Sequence, residues 1–66
     1  MVTVIIAVLV VVDEALIRLD IADQLVEEGY KVFEAANAGQ AIAILEREPS
    51  IRVLFTDIDM PGSWTG

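Results

Sequence analysis

Val2-Thr3-Val4-Ile5-Ile6-Ala7-Val8-Leu9-Val10-Val11-Val12 runs directly into Asp13-Glu14, and the reading of this stretch decides the fold. Every residue but Thr3 is apolar. The run is 11 residues long, and a membrane-spanning helix needs roughly 20. No Lys or Arg precedes it, so it lacks the charged start of a signal peptide. Val, Ile and Thr dominate it, and these β-branched residues favour strands. A continuous apolar run without alternation predicts a strand buried on both faces, as in a parallel sheet. The run is longer than the usual strand of about 5–6 residues, so its outer part, Val2 to Ala7, is expected to be a sticky extension.

Beyond Asp13 the period changes. Ala15, Leu19, Ala22 and Val26 recur at helical spacing, flanked by Arg18, Asp20, Asp23, Gln24, Glu27 and Glu28. Asp13 is the expected cap of this helix and Gly29 its stop. Tyr30-Lys31-Val32-Phe33-Glu34-Ala35 reads as a short strand. Asn37 is a good N-cap, with Gln40 placed three residues on as in a capping box. Ala38, Ala41, Ile42 and Leu45 form a second predicted helix face, which Pro49 closes off. Ile51 to Thr56 is a second apolar run, ending in Asp57, and Met60-Pro61-Gly62-Ser63 is a loop. Strand, helix, strand, helix, strand predicts an α/β fold with a parallel sheet and right-handed crossovers. There is no internal repeat or linker, so residues 1–66 are read as one domain.

Composition narrows the chemistry. The 66 residues contain no cysteine and no histidine, which excludes disulfides, thiolate and histidine metal sites, and histidine general bases. The net charge is −7, which argues against nucleic acid and anionic membrane as partners. The apolar fraction, 56%, exceeds the usual share of about 45–50%. A core this small is marginal and invites completion by a partner.

In open parallel sheets, ligands bind at the carboxyl ends of the strands. Asp13 follows the first predicted strand and Asp57 the third. Two carboxylates without histidine or cysteine suit a hard cation such as Mg²⁺, or a carboxylate nucleophile that becomes an aspartyl phosphate. Acids at such places are also ordinary caps and turn formers, and spacing alone leaves the two readings level. A nucleotide-binding half is set aside, because no glycine-rich loop follows the first strand: Val12-Asp13-Glu14-Ala15 has none.

Val8-Leu9-Val10-Val11-Val12-Asp13-Glu14, the helix end Glu27-Glu28-Gly29-Tyr30, and Leu54-Phe55-Thr56-Asp57-Ile58-Asp59-Met60-Pro61-Gly62 together resemble the receiver domain of two-component response regulators. The resemblance runs from about Val8 onward and covers the first half of that flavodoxin-like fold. It implies a three-stranded parallel sheet in order 2-1-3 with two crossover helices. It further implies Asp57 as phosphoacceptor, taking its phosphoryl group from a sensor histidine kinase, and Asp13 as a ligand of Mg²⁺. The carbonyl of Asp59 would be the third protein contact to the metal, beside the carboxylates of Asp13 and Asp57. On this reading the chain is a cytoplasmic phosphorelay module and not an enzyme.

The departures from the family pattern carry expectations of their own. Two adjacent acids usually follow the first strand; in register these are positions 12 and 13, and the first is Val12. A weakened Mg²⁺ site follows. Glu14 then falls at the start of the helix, where an acid favours the dipole. Ser63-Trp64-Thr65-Gly66 stands where the family more often has an acid before the last glycine. The fourth-strand Ser or Thr and fifth-strand Lys of the family have no counterpart in these 66 residues, so the chain reads as a half-receiver, truncated or engineered, with little activity alone. Ile51 to Thr56 would be a bare apolar edge, and a homodimer or larger assembly is expected to complete the core. The alternative is a self-assembling structural half-domain with no chemistry.

Overall fold

The computed structural model describes residues 4–57. Asp59, Met60-Pro61-Gly62 and Trp64, named above, lie outside the described residues, as do Val2 and Thr3. Five elements alternate: β1 (Ala7–Val11), α1 (Ala15–Glu27), β2 (Lys31–Ala35), α2 (Ala38–Arg47) and β3 (Ile51–Thr56). The sheet is parallel throughout, as the α/β pattern predicts, and its order is β2-β1-β3, as the resemblance implies.

The central strand is the core. All five residues of β1 are buried, and Leu9 and Val10 are 0% exposed. Alternation divides them between two clusters. Val8, Val10 and Val12 pack with Ile21, Leu25, Tyr30 and Val32, so α1 covers this face. Leu9, Val11 and Ala35 pack with Ala41, Phe33, Ile44 and Ile51, so α2 covers the other. A strand buried on both faces needs no polar alternation, which is why its sequence has none. Each fully buried Leu or Val contributes about 1.5–3 kcal/mol of transfer free energy.

β1 is shorter than its apolar run. Val4, Ile5 and Ile6 lie before the strand and are exposed. Ladder partners set the limit: the Lys31 N–H donates to the Ile6 carbonyl at 3.0 Å, and β2 and β3 both begin opposite Ala7. Ala7 itself, placed in the extension by the sequence reading, is a buried residue of the strand.

The helix ends show where local signals hold. At Gly29 the backbone takes φ +96°, and the N–H groups of Gly29 and Tyr30 donate to the carbonyls of Val26 and Leu25. This is a Schellman stop, and its usual apolar contact is supplied by Leu25 and Tyr30, which both pack on the α1-side cluster. At the start of α2 the Asn37 side chain accepts from the Gln40 N–H at 2.8 Å, while Gln40 Oε1 accepts from the Ala36 N–H at 2.7 Å. Asp13, by contrast, does not cap α1. The N-cap is Glu14, and its side chain makes no cap hydrogen bond.

Both helices are rotated from the faces read in sequence. Leu19 and Val26 of α1 are exposed; Ala22 of the expected face is buried, and Ile21 and Leu25 join it against the sheet. Ile42 and Leu45 of α2 are exposed; Ala41 of the expected face is buried, and Ile44 joins it facing inward. In each helix the fully buried residue is an alanine, the small side chain that lets the backbone approach the strands.

Candidate functional site

Three strand ends meet at the carboxyl edge of the sheet. The Val12 N–H donates to the Ala35 carbonyl at 3.0 Å, extending the β1–β2 ladder by one rung. On the other side the Asp57 N–H donates to the Val11 carbonyl at 3.1 Å. Asp57 therefore leaves β3 level with the point where β1 gives way to Asp13. Neighbouring strands run about 4.8 Å apart, so the fold brings the two candidate acids to adjacent chain ends. Both are exposed. The sequence holds them there because the β1 ladders with β2 and β3 fix the backbone up to Val12 on one strand and Asp57 on the other.

Val12 is different. It is 1% exposed and belongs to the α1-side core with Val8 and Val10. The position matched to the first acid of the family pair is thus an apolar core position in this chain.

Between Val12 and α1 stands a residue that the sequence reading treated only as a polar flank. Arg18 Nη1 donates to the Val12 carbonyl at 2.8 Å, and Nε donates to Glu34 Oε1 at 3.3 Å. Glu34 lies on β2, opposite Val10. Arg18 shares the inner side of α1 with Ile21 and Ala22, one turn on, and Leu25, two turns on. Its position five residues after Asp13, in the first turns of the helix, was the available signal.

Two carboxylates with no nitrogen or sulfur donor match a hard cation that keeps most of its own water, which is how Mg²⁺ is usually held. Asp13 and Asp57 fit that donor set. Among the described residues no group of three or more acidic, histidine or cysteine side chains forms a metal cluster. The Asp59 carbonyl, the expected third contact, lies outside the described residues. Among the described residues no helix is long and apolar enough to cross a membrane.

Comparison with known proteins agrees with this architecture. The family model for the response regulator receiver domain matches residues 8–66. The transcriptional regulatory protein PdtaR, from two strains of Mycobacterium tuberculosis, is 41% identical over 54 residues. That alignment covers 82% of this chain and 26% of the relative, so the chain spans about a quarter of the length of the curated relatives it matches. No solved structure gives a significant match. With a β2-β1-β3 parallel sheet, acids at the ends of β1 and β3, and a family match over residues 8–66, the chain belongs to the response regulator receiver family of two-component signalling.

Proposed function

We propose that Asp57 is the phosphoacceptor of this receiver and that Asp13 is its Mg²⁺ ligand, with the Asp59 carbonyl as a third contact. The observation that carries the reading is the 3.1 Å bond from the Asp57 N–H to the Val11 carbonyl, which sets Asp57 beside the exit of β1. In the transfer, a carboxylate oxygen of Asp57 attacks the phosphorus of a phosphohistidine on a sensor kinase. An O–P bond forms, the N–P bond breaks, and its electron pair returns to the imidazole nitrogen. Bound Mg²⁺ would supply neutralisation of the phosphoryl oxygens, the main requirement of phosphoryl transfer. Asp13 holds the charge that recruits the cation, and Asp57 supplies the nucleophile.

The site is weak in two respects. Val12 brings no charge to the cation. The single lysine of the 66 residues, Lys31, begins β2 at the opposite end of the sheet from Asp57. Donors aimed at developing charge are worth about 3–4 kcal/mol each in rate, so loading of this chain alone is expected to be slow and sparse. Incubation with acetyl phosphate, with and without Mg²⁺, followed by intact-mass measurement, tests the reading. One added phosphoryl group is expected, dependent on Mg²⁺ and lost in Asp57→Asn. A phosphoryl group on any other residue would overturn the assignment, and rapid loading to one phosphoryl group per chain would overturn the weakness.

A second reading has its own support. Val53, Leu54 and Phe55 are all exposed, and the outer edge of β3 pairs with no strand among the described residues. Unpaired apolar edges recruit another strand, and a second copy of this chain offers one. Light scattering coupled to size exclusion is expected to show a dimer or larger assembly; a folded monomer at micromolar concentration would refute it.

A further inference from the structure

Among the described residues, the turn that carries Asp13 is held by one side chain. Glu14 caps α1 without a side-chain bond. Among the described residues, the side-chain hydrogen bond that this turn receives is the one from Arg18 Nη1 to the Val12 carbonyl, at 2.8 Å and partly buried. That carbonyl belongs to the planar peptide unit that also contains the Asp13 N–H. Fixing its oxygen fixes the plane from which the Asp13 Cα departs. The other face of the residue is already tied, because the Val12 N–H is held by the Ala35 carbonyl.

Arg18 is itself held. Its Nε donates to Glu34 Oε1 at 3.3 Å, with the Arg18 side chain 19% and the Glu34 side chain 37% exposed. A guanidinium is a rigid planar fork, so fixing Nε on β2 aims Nη1 at the end of β1. One side chain thus joins α1, β1 and β2 at the root of the acidic turn.

We infer that Arg18, oriented by Glu34, is the positioning residue for Asp13: it sets the Val12–Asp13 peptide so that the Asp13 carboxylate stands at the sheet edge ready for the cation. The metal part of this role rests on the Mg²⁺ reading above, and the test separates the two. Backbone ¹⁵N relaxation of the metal-free chain reads the turn directly, and Mg²⁺ titration reads its consequence. In Arg18→Ala the order parameters of Asp13 and Glu14 are expected to fall from the rigid value of about 0.85 to below about 0.6. Mg²⁺ should bind about tenfold more weakly, as when a residue that orients a metal ligand is lost. Arg18→Lys keeps the charge but not the fork, and Glu34→Ala keeps the fork but not its orientation; both should fall between parent and Arg18→Ala. If Arg18→Ala fails to fold, these two carry the test. Ile44→Ala, in the cluster on the opposite face, serves as a control that lowers stability without touching the turn.

An unchanged turn and unchanged Mg²⁺ affinity in the Arg18 variants would overturn the inference. So would equal loosening of the turn by Ile44→Ala, which would make the effect one of general stability. If Asp13→Asn leaves Mg²⁺ binding intact while the Arg18 variants still loosen the turn, the metal assignment of Asp13 fails and Arg18 stands as the pin of the turn.

Discussion

β2 and β3 flank the same strand, run parallel to it and end at the same edge, yet their surroundings differ. β2 is packed by both helices: Val32 meets the α1 side, Phe33 and Ala35 the α2 side. In β3 only Ile51 joins a cluster, and Val53, Leu54 and Phe55 are 45%, 53% and 44% exposed. The difference does not come from composition, since β3 is the more apolar of the two: Ile-Arg-Val-Leu-Phe-Thr against Lys-Val-Phe-Glu-Ala. Burial here is decided by what lies over a strand, and both helices lie over β1 and β2.

The sharpest way to break the comparison is to damage the strand that both neighbours share. Leu9→Ala is expected to cost about 2–5 kcal/mol, since Leu9 is wholly buried. Domains are stable by only about 0.05–0.15 kcal/mol per residue, so this change should abolish or nearly abolish folding, measured by urea denaturation. Val12→Asp probes the covered side near the site. In metal-free buffer it should destabilise on the order of 2–3 kcal/mol, because a carboxylate replaces a buried valine. The same change should strengthen Mg²⁺ binding and regain part of the loss; unchanged Mg²⁺ affinity would show that position 12 is not the missing acid.

Smaller effects separate the two helices that do the covering. Asn37→Ala should cost about 1 kcal/mol, because its side chain caps α2. Glu14→Ala at the matching place in α1 should leave the melting temperature nearly unmoved, since no cap bond is lost. At the bottom of the scale, Leu54→Lys on the open strand should change the stability of the single chain by less than about 0.5 kcal/mol, while shifting any assembly toward monomer in light scattering. A large loss of stability at Leu54 in dilute monomer would show that β3 is covered after all.

Much of this was legible in sequence. The switch from unbroken apolar runs to helical spacing gave the element order and the parallel sheet, and the family resemblance then supplied the order β2-β1-β3. Ile51–Thr56, the Gly29 stop and the Asn37 cap were each written in local chemistry that needs no tertiary context. The helix faces were not. α1 has apolar residues at 16, 17, 19, 21, 25 and 26, so several stripes compete, and docking selects the one containing Ile21 and Leu25. The strand limit at Ala7 depended on where its partners begin. The placement of Asp13 and Asp57 at the carboxyl edge was readable because strand ends are readable. Arg18 was not, because its partner Glu34 is distant in sequence and meets it only once β2 lies beside β1.

The pairing of β1 with β3 steps from Ala7 opposite Ile51 to Val8 opposite Val53, leaving Arg52 as an extra residue. A one-residue slip in a strand ordinarily turns every following side chain to the wrong face. Here the surplus is absorbed at the first rung, and the rungs from Val53 to Thr56 run in step with Val8 to Val11. Deleting Arg52 would remove the surplus and restore the same pairs downstream. The front of β3 therefore works as a slack joint. Changes of length in the α2–β3 connection can be taken up there, at the end of the sheet remote from Asp57, without moving the acid relative to the end of β1.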